Sequence, residues 1–254
     1  MVRRIPTDMG VYLVTGASRG IGSSLAVLLA NEGHQVILLA RDSPELKATT
    51  ESVLAVSASS FAVVCDLASP ESIAKGAEQI LREVNVIDGL VHNAGAIHPV
   101  RAMQDASNAE WSRSIQVNLI GVQDLTQRLF SLLKGPQHSR VTTISSGASL
   151  RPIQSWSAYC TAKAGLDMWS RCLAEEGKEH NISSISVAPG VVDTGMQEDI
   201  RAVDPQHFPS HSTFVSLHDE GELAHPNDVA DLLHSLVTGH SMEQSGQRFD
   251  VRDL

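Results

Sequence analysis

Val11-Tyr12-Leu13-Val14-Thr15-Gly16-Ala17-Ser18-Arg19-Gly20-Ile21-Gly22 is the stretch that decides the fold. A short run of apolar and β-branched residues enters a glycine-rich turn, and an apolar stripe of helical spacing, Ile21, Leu25, Leu28 and Leu29, follows at once. Strand, glycine turn and helix in that order open a parallel α/β unit. Gly16 permits the tight turn, Gly20 lets the backbone approach a pyrophosphate, and Gly22 allows the helix to pack closely on the strand. Ser18 and Arg19 sit in the turn itself, and the free N–H groups of the helix start offer a seat for an anion.

The same rhythm continues outward from this stretch. The runs Gln35–Leu39, Phe61–Cys65, Gly89–His92, Arg140–Ser145 and Ile182–Ala188 are mostly continuous rather than alternating in hydrophobicity, as suits strands buried on both faces of a parallel sheet. Ser43-Pro44-Glu45 and Ser69-Pro70-Glu71 each combine a Ser N-cap, a Pro at the first helical position and an acid in the first turn. Residues 108–133 and 155–180 are the two longest helix candidates. Strand–helix alternation along nearly the whole chain predicts one α/β domain over residues 9–254, a doubly wound (Rossmann) parallel sheet with helices on both faces. Residues 1–8 read as a short exposed leader. Residues 197–222, rich in His, Pro and Ser, break the rhythm and are expected to form an irregular substrate flap with one short helix.

Composition narrows the function. Of 254 residues, 42% are hydrophobic and 19% charged, too apolar for a disordered chain. A net charge of −10 argues against a nucleic-acid partner. The 3 cysteines form no Cys-x-x-Cys pair, which points away from a disulfide scaffold and towards a reducing, cytoplasmic setting. No apolar run approaches the roughly 18 residues of a membrane span, so no membrane partner is expected. No metal is expected either: His207 and His211 flank Pro209 in a predicted loop, and there is no His-Glu-x-x-His.

Tyr159 and Lys163 stand four apart on a predicted helix, so both project from one face. Ser146 closes the fifth strand, ahead of that helix. A hydroxyl, a phenol and an ammonium together can stabilise and protonate a developing oxyanion. Singly, each residue has an ordinary reading as helix surface or loop.

Five motifs in order resemble the short-chain dehydrogenase/reductase family. They are the Gly16-x-x-x-Gly20-x-Gly22 spacing, His92-Asn93-Ala94-Gly95, Val117-Asn118-Leu119, the set Ser146, Tyr159 and Lys163, and Pro189-Gly190 with Val192 and Thr194. The resemblance covers nearly the whole chain and implies a nicotinamide-dependent reductase of a small-molecule carbonyl. On that basis Tyr159 is the general acid, its pKa lowered by Lys163 together with the cationic nicotinamide. Lys163 also hydrogen-bonds the nicotinamide ribose, and Ser146 rather than Ser145 contacts the carbonyl oxygen. Asn118 holds a relay water behind the lysine; otherwise it is a solvated or back-bonded mid-helix residue. Asn93, Ala94 and Gly95, and the turn from Pro189 to Thr194, border the cofactor. Asp66 and Leu67 contact the adenine, unless Asp66 serves only a turn.

The cofactor expected is NADP(H). Ala40 occupies the place where NAD enzymes carry an acid for the ribose 2′-hydroxyl, and Arg41 follows it. Arg41 and Arg19 suit a 2′-phosphate, whereas Asp42 turned inward would let NAD compete. A finer resemblance, through Ser145–Pro152, Trp156–Cys160 and Ala188–Gln197, is to the sepiapterin reductase and benzil reductase branch. It implies reduction of a ketone or diketone, with benzil-type chemistry slightly favoured. Asp250 matches the pterin-anchoring aspartate near the C-terminus, although many family members end in a similar Ser/Thr-Gly strand for structural reasons. Trp156 either lines the substrate mouth or packs in the core. The family's paired long helices imply a homodimer or homotetramer. Two alternatives stand beside this reading: an NADP-dependent secondary-alcohol dehydrogenase, and a non-catalytic NADP-sensing or interaction protein.

Overall fold

A computed structural model describes residues 9–254; the leader expected at residues 1–8 lies outside the described residues. Strand β1 (Val11–Thr15) is followed by α1 (Gly20–Asn31), β2 (Gln35–Ala40), α2 (Pro44–Leu54), β3 (Phe61–Val64), α3 (Pro70–Glu83) and β4 (Gly89–His92). The second half holds α4 (Asn108–Ile115), α5 (Gly121–Leu133), β5 (Ser139–Ile144), α6 (Ser157–Glu176), β6 (Ile182–Ala188), α7 (Gly195–Arg201), α8 (His211–Asp219), α9 (Pro226–Gly239) and β7 (Arg248–Asp250). The strands form one 7-stranded sheet in the order β3-β2-β1-β4-β5-β6-β7, and every pairing is parallel. This is the doubly wound sheet expected, with a short seventh strand added at its edge.

Alternation along β1 divides the core in two. Tyr12 and Val14 face the layer of α1 and α9, packing with Leu25, Leu29, Val229 and Leu233. Leu13 faces the other layer with Ile73, Ile80, Leu125 and Leu129 of α3 and α5. The expected caps form: Ser43 Oγ accepts from the Leu46 N–H and Ser69 Oγ from the Ser72 N–H, both at 3.2 Å. No helix among the described residues is long and apolar enough to cross a membrane.

Two expectations need correction. The single helix read over 108–133 is interrupted by a π-helical turn, Gln116–Ile120, in which the Gly121 N–H bonds back to Gln116 O. The cause is Asn118, fully buried in the turn. Its amide donates to Ser114 O and Ala96 O, each at 2.9 Å, and its Oδ1 accepts from the Ala96 N–H at 3.0 Å. Meeting these bonds inside the core outweighs helical regularity.

Residues 197–222 are likewise more ordered than an irregular flap, for they hold most of α7, a 3₁₀ turn at Pro205–His207, and α8. The segment is pinned from both sides. Ser155 Oγ donates to His207 O at 2.7 Å, and His211 Nε2 lies 2.9 Å from Arg201 O. Phe208, fully buried, packs with Trp156, Ile97 and Ile200. These helices are too short to show helical periodicity, and their order comes from packing on distant residues.

Candidate active site

The carboxyl ends of the central strands open on one cleft of about 410 Å³. It lies where the strand order reverses between β1 and β4, the point at which open parallel sheets hold ligands. The glycine loop forms its floor. Gly16 has φ +66°, and a Cβ there would stand 2.8 Å from Ala94 Cα. A Cβ on Gly22 would overlap the Gly16 carbonyl and the Asn93 amide.

Asn93 is the clamp of this loop. Its Nδ2 donates to Thr15 O at 2.9 Å and Gly16 O at 3.2 Å. The N–H groups of Asn93 and Ala94 donate to Thr15 Oγ1 at 3.0 and 3.1 Å. Among the described residues no side chain caps the start of α1, and its first turn holds no acid. Its first N–H groups therefore remain open to an anion. A glycine cradle without room for a Cβ, ending in an uncapped helix, fits a dinucleotide pyrophosphate.

Ser18, Arg19, Gly20, Ile21, Ala40, Arg41, Asp66, Leu67, Asn93, Ala94, Gly95, Pro189, Gly190, Val192 and Thr194 all line the cleft. Gly22 and Asn118 stand behind its wall. Arg19 lies against Gly195 at the start of α7. Asp42 is turned away: it is absent from the lining, and its carboxylate lies 3.8 Å from Lys47 Nζ. Asp66 serves a turn as well as the wall, for Oδ1 accepts from the Ala68 N–H at 2.9 Å and Oδ2 lies 3.5 Å from Arg113 Nη2.

At the other end of the cleft Ser146, Tyr159 and Lys163 come together on one wall. Ser146 Oγ accepts from the Ala148 N–H at 3.1 Å, and its hydroxyl acts to lower the pKa of the Tyr159 phenol. Lys163 Nζ donates to Ile144 O at 2.7 Å and stands 5.7 Å from the centre of the Tyr159 ring. Burial pushes the Tyr159 phenol up to about 12, with the Ser146 hydroxyl opposing. Burial also brings the Lys163 ammonium down to about 8, with Asp167 opposing. In the protein alone, desolvation of the phenolate outweighs the Ser146 effect; the lowering expected for Tyr159 calls on the cationic nicotinamide as well as the lysine.

Trp156 meets both of its expected descriptions. It is 4% exposed, lines the cleft, and stacks on Phe208 with ring centres 5.3 Å apart. Phe214 and Ile153, which no motif marks, complete this apolar end. Asp250 must be corrected: it is absent from the lining, and its carboxylate is taken by Arg252, with Nε at 2.8 Å and Nη2 at 2.6 Å. At this end of the chain it is Arg252, not Asp250, that lines the cleft.

Comparison with known proteins agrees with this geometry. Residues 10–204 match the family model of the short chain dehydrogenases. A benzil reductase ((S)-benzoin forming) of Bacillus cereus is 32% identical over 93% of this chain and 97% of its own. A short-chain dehydrogenase/reductase of Saccharomyces cerevisiae superposes with a TM-score of 0.86 at 29% identity, covering 96% of each chain. One from Shigella flexneri, solved with NADP, superposes with a TM-score of 0.83 at 25% identity over 97% of this chain and 98% of its own.

Proposed function

The chain belongs to the short-chain dehydrogenase/reductase family of oxidoreductases, and on that premise we propose that it is an NADPH-dependent carbonyl reductase acting on ketones, diketones of the benzil type foremost. The observation that carries the reading is the convergence of Ser146, Tyr159 and Lys163 on one wall of a cleft whose other end is the glycine cradle.

When bound, the nicotinamide would supply a hydride. The residues of the chain do the rest. Tyr159, its pKa held up by burial in the protein alone, keeps its proton at neutral pH and gives it to the carbonyl oxygen. The Ala148 N–H already occupies one lone pair of Ser146 Oγ, so the Ser146 proton is free to be donated to that same oxygen. Lys163 spends one of its three N–H bonds on Ile144 O and keeps the others for the cofactor ribose and the phenol. Asn118, bound to Ala96 on both its polar atoms, holds the backbone beside Gly95 in place.

The absence of an acid at Ala40, Arg41 and Arg19 on the cleft wall, and Asp42 turned towards Lys47 support NADP(H) over NAD(H). The NADP complex of the Shigella relative points the same way. The diketone preference rests on the benzil reductase relatives and on the aromatic end formed by Trp156 and Phe214. The free state of all three cysteines suits a reducing cytoplasm. Two copies are expected to pair through α5 and α6, near which Ile120 and Met168 are 49% and 54% exposed; light scattering reads that state directly.

The test is consumption of NADPH, followed optically with benzil, sepiapterin and a simple aldehyde side by side, and NADH in parallel. Turnover of benzil with NADPH, lost in Tyr159→Phe while NADPH still binds, is the expected result. Turnover that survives Tyr159→Phe removes the tyrosine from the mechanism. NADPH binding with no turnover of any carbonyl removes the reductase reading.

A further inference from the structure

We propose that Arg248 and Asp167 form a positioning pair that ties the C-terminal strand to the Ser146 turn and holds the Ser146 hydroxyl in register with Tyr159. The inference rests on the catalytic reading above and adds two residues that do not line the cleft.

Arg248 opens β7, opposite Ser186 in the parallel register with β6. Its guanidinium spans three elements. Nε donates to Asp167 Oδ2 on α6 at 3.2 Å, and Nη2 donates to the main-chain carbonyl of Ser146 at 3.1 Å. That carbonyl also accepts from Ser149 Oγ at 2.8 Å. The Ser149 N–H reaches the same oxygen at 3.1 Å, so the peptide plane after Ser146 cannot turn without disturbing three bonds, of which Arg248 supplies the one from outside the turn. The Ser146 side chain stands on the Cα at the edge of that plane; its Oγ meets the Ala148 N–H, and it lines the cleft with Tyr159. A rotation at the carbonyl would misplace the hydroxyl.

Asp167 gives the arrangement its charge. It lies one helical turn beyond Lys163 on the same face of α6, and its side chain is 15% exposed against 23% for Arg248. Oδ2 is on Arg248, while Oδ1 is buried with no partner among the described residues. From one helical turn away, the carboxylate supports the Lys163 ammonium against the effect of burial. Within a turn of Lys163, the ionisable groups on its own helix are Tyr159, Cys160 and Asp167. The β5 side offers the neutral Ile144 carbonyl and the π turn the neutral Asn118, both uncharged. Arg248, from β7, is held by Asp167.

The C-terminal strand therefore reaches the active site through Arg248 rather than through Asp250. The experiment uses Arg248→Met, Arg248→Lys and Asp167→Asn in the full chain. It reads kcat and KM with benzil, the NADPH dissociation constant, the pH profile of kcat, and amide hydrogen exchange of residues 145–150. In Arg248→Met, kcat should fall about ten- to hundredfold, the NADPH dissociation constant should stay within about twofold of the parent, and exchange over 145–150 should quicken. Arg248→Lys should recover part of kcat, since one donor still reaches. In Asp167→Asn the alkaline limb of kcat should move to lower pH, because the charge that holds the Lys163 proton is gone.

Unchanged exchange over 145–150 overturns the tie to the Ser146 turn. Loss of kcat in parallel with loss of NADPH affinity, with no recovery in Arg248→Lys and no shift of the alkaline limb in Asp167→Asn, reduces the pair to a structural strut and overturns the proposal. A parent protein without carbonyl turnover overturns the catalytic reading instead, while the exchange data still decide whether Arg248 holds the turn.

Discussion

Lys163→Met should abolish turnover with NADPH and make the cofactor-free protein more stable. Lys163 is 3% exposed, and its pKa falls from 10.5 to about 8 because burial disfavours the charged form, Asp167 opposing. Below pH 8 the folded protein carries a buried ammonium that the unfolded chain would keep in water. At about 1.4 kcal/mol for each tenfold change in acidity, the fall corresponds to about 3 kcal/mol of stability withheld at neutral pH. Methionine keeps most of the apolar stem but leaves the Ile144 carbonyl, now bonded at 2.7 Å, without its donor. That loss costs about 1 kcal/mol, so the net gain is about 2 kcal/mol, or roughly 5 °C in melting temperature for a domain of this size. The folded pKa lies below the unfolded one. The penalty is therefore full below about pH 8 and fades as the pH rises towards 10.5, where both states hold a neutral amine. Urea unfolding of both proteins at pH 7 and near pH 10, read by tryptophan fluorescence, should show a gap that closes at the higher pH. A variant less stable than its parent at pH 7, or a gap indifferent to pH, refutes the reasoning that this ammonium is held at a cost to stability.

Other outcomes follow from the same geometry. Arg41→Ala should lower kcat/KM for NADPH about ten- to hundredfold, the worth of a charge-assisted phosphate contact, and leave NADH unchanged; steady-state kinetics with both cofactors measures it. Asp42→Asn should leave the NADPH-to-NADH ratio unaltered, since its carboxylate is turned to Lys47; the same assay reads it. Gly22→Ala should weaken NADPH binding at least about tenfold in a fluorescence titration, because the added Cβ displaces the Gly16 carbonyl and with it the anion cradle. Ser43→Ala, which removes the cap on the Leu46 N–H, should cost about 1 kcal/mol in thermal unfolding with no change in kcat.

The glycine loop, the six longer strands, the two Ser-Pro-Glu helix starts and the set Ser146, Tyr159 and Lys163 were legible in the chain itself. Each depends on short-range rules: continuous apolar runs, a cap beside its helix, side chains four apart on one face. Strand–helix alternation also implied a doubly wound parallel sheet, while the order of its strands came from the structure. Other features depended on partners far away in sequence. Asn118 bends its helix because Ala96 and Ser114 supply its bonds, and the Tyr159 phenol is pushed up in pKa because the surrounding core excludes water. Helices α7 and α8 are ordered by Ser155 and by aromatic packing around Phe208. Asp250 matched a family position, yet Arg252 takes its carboxylate, and Arg248, on no motif, reaches Ser146 across 102 positions of sequence. Local pattern determines which elements form and which chemistry the chain carries. Desolvation and long-range hydrogen bonds, which exist only once the elements are packed, decide how that chemistry is held.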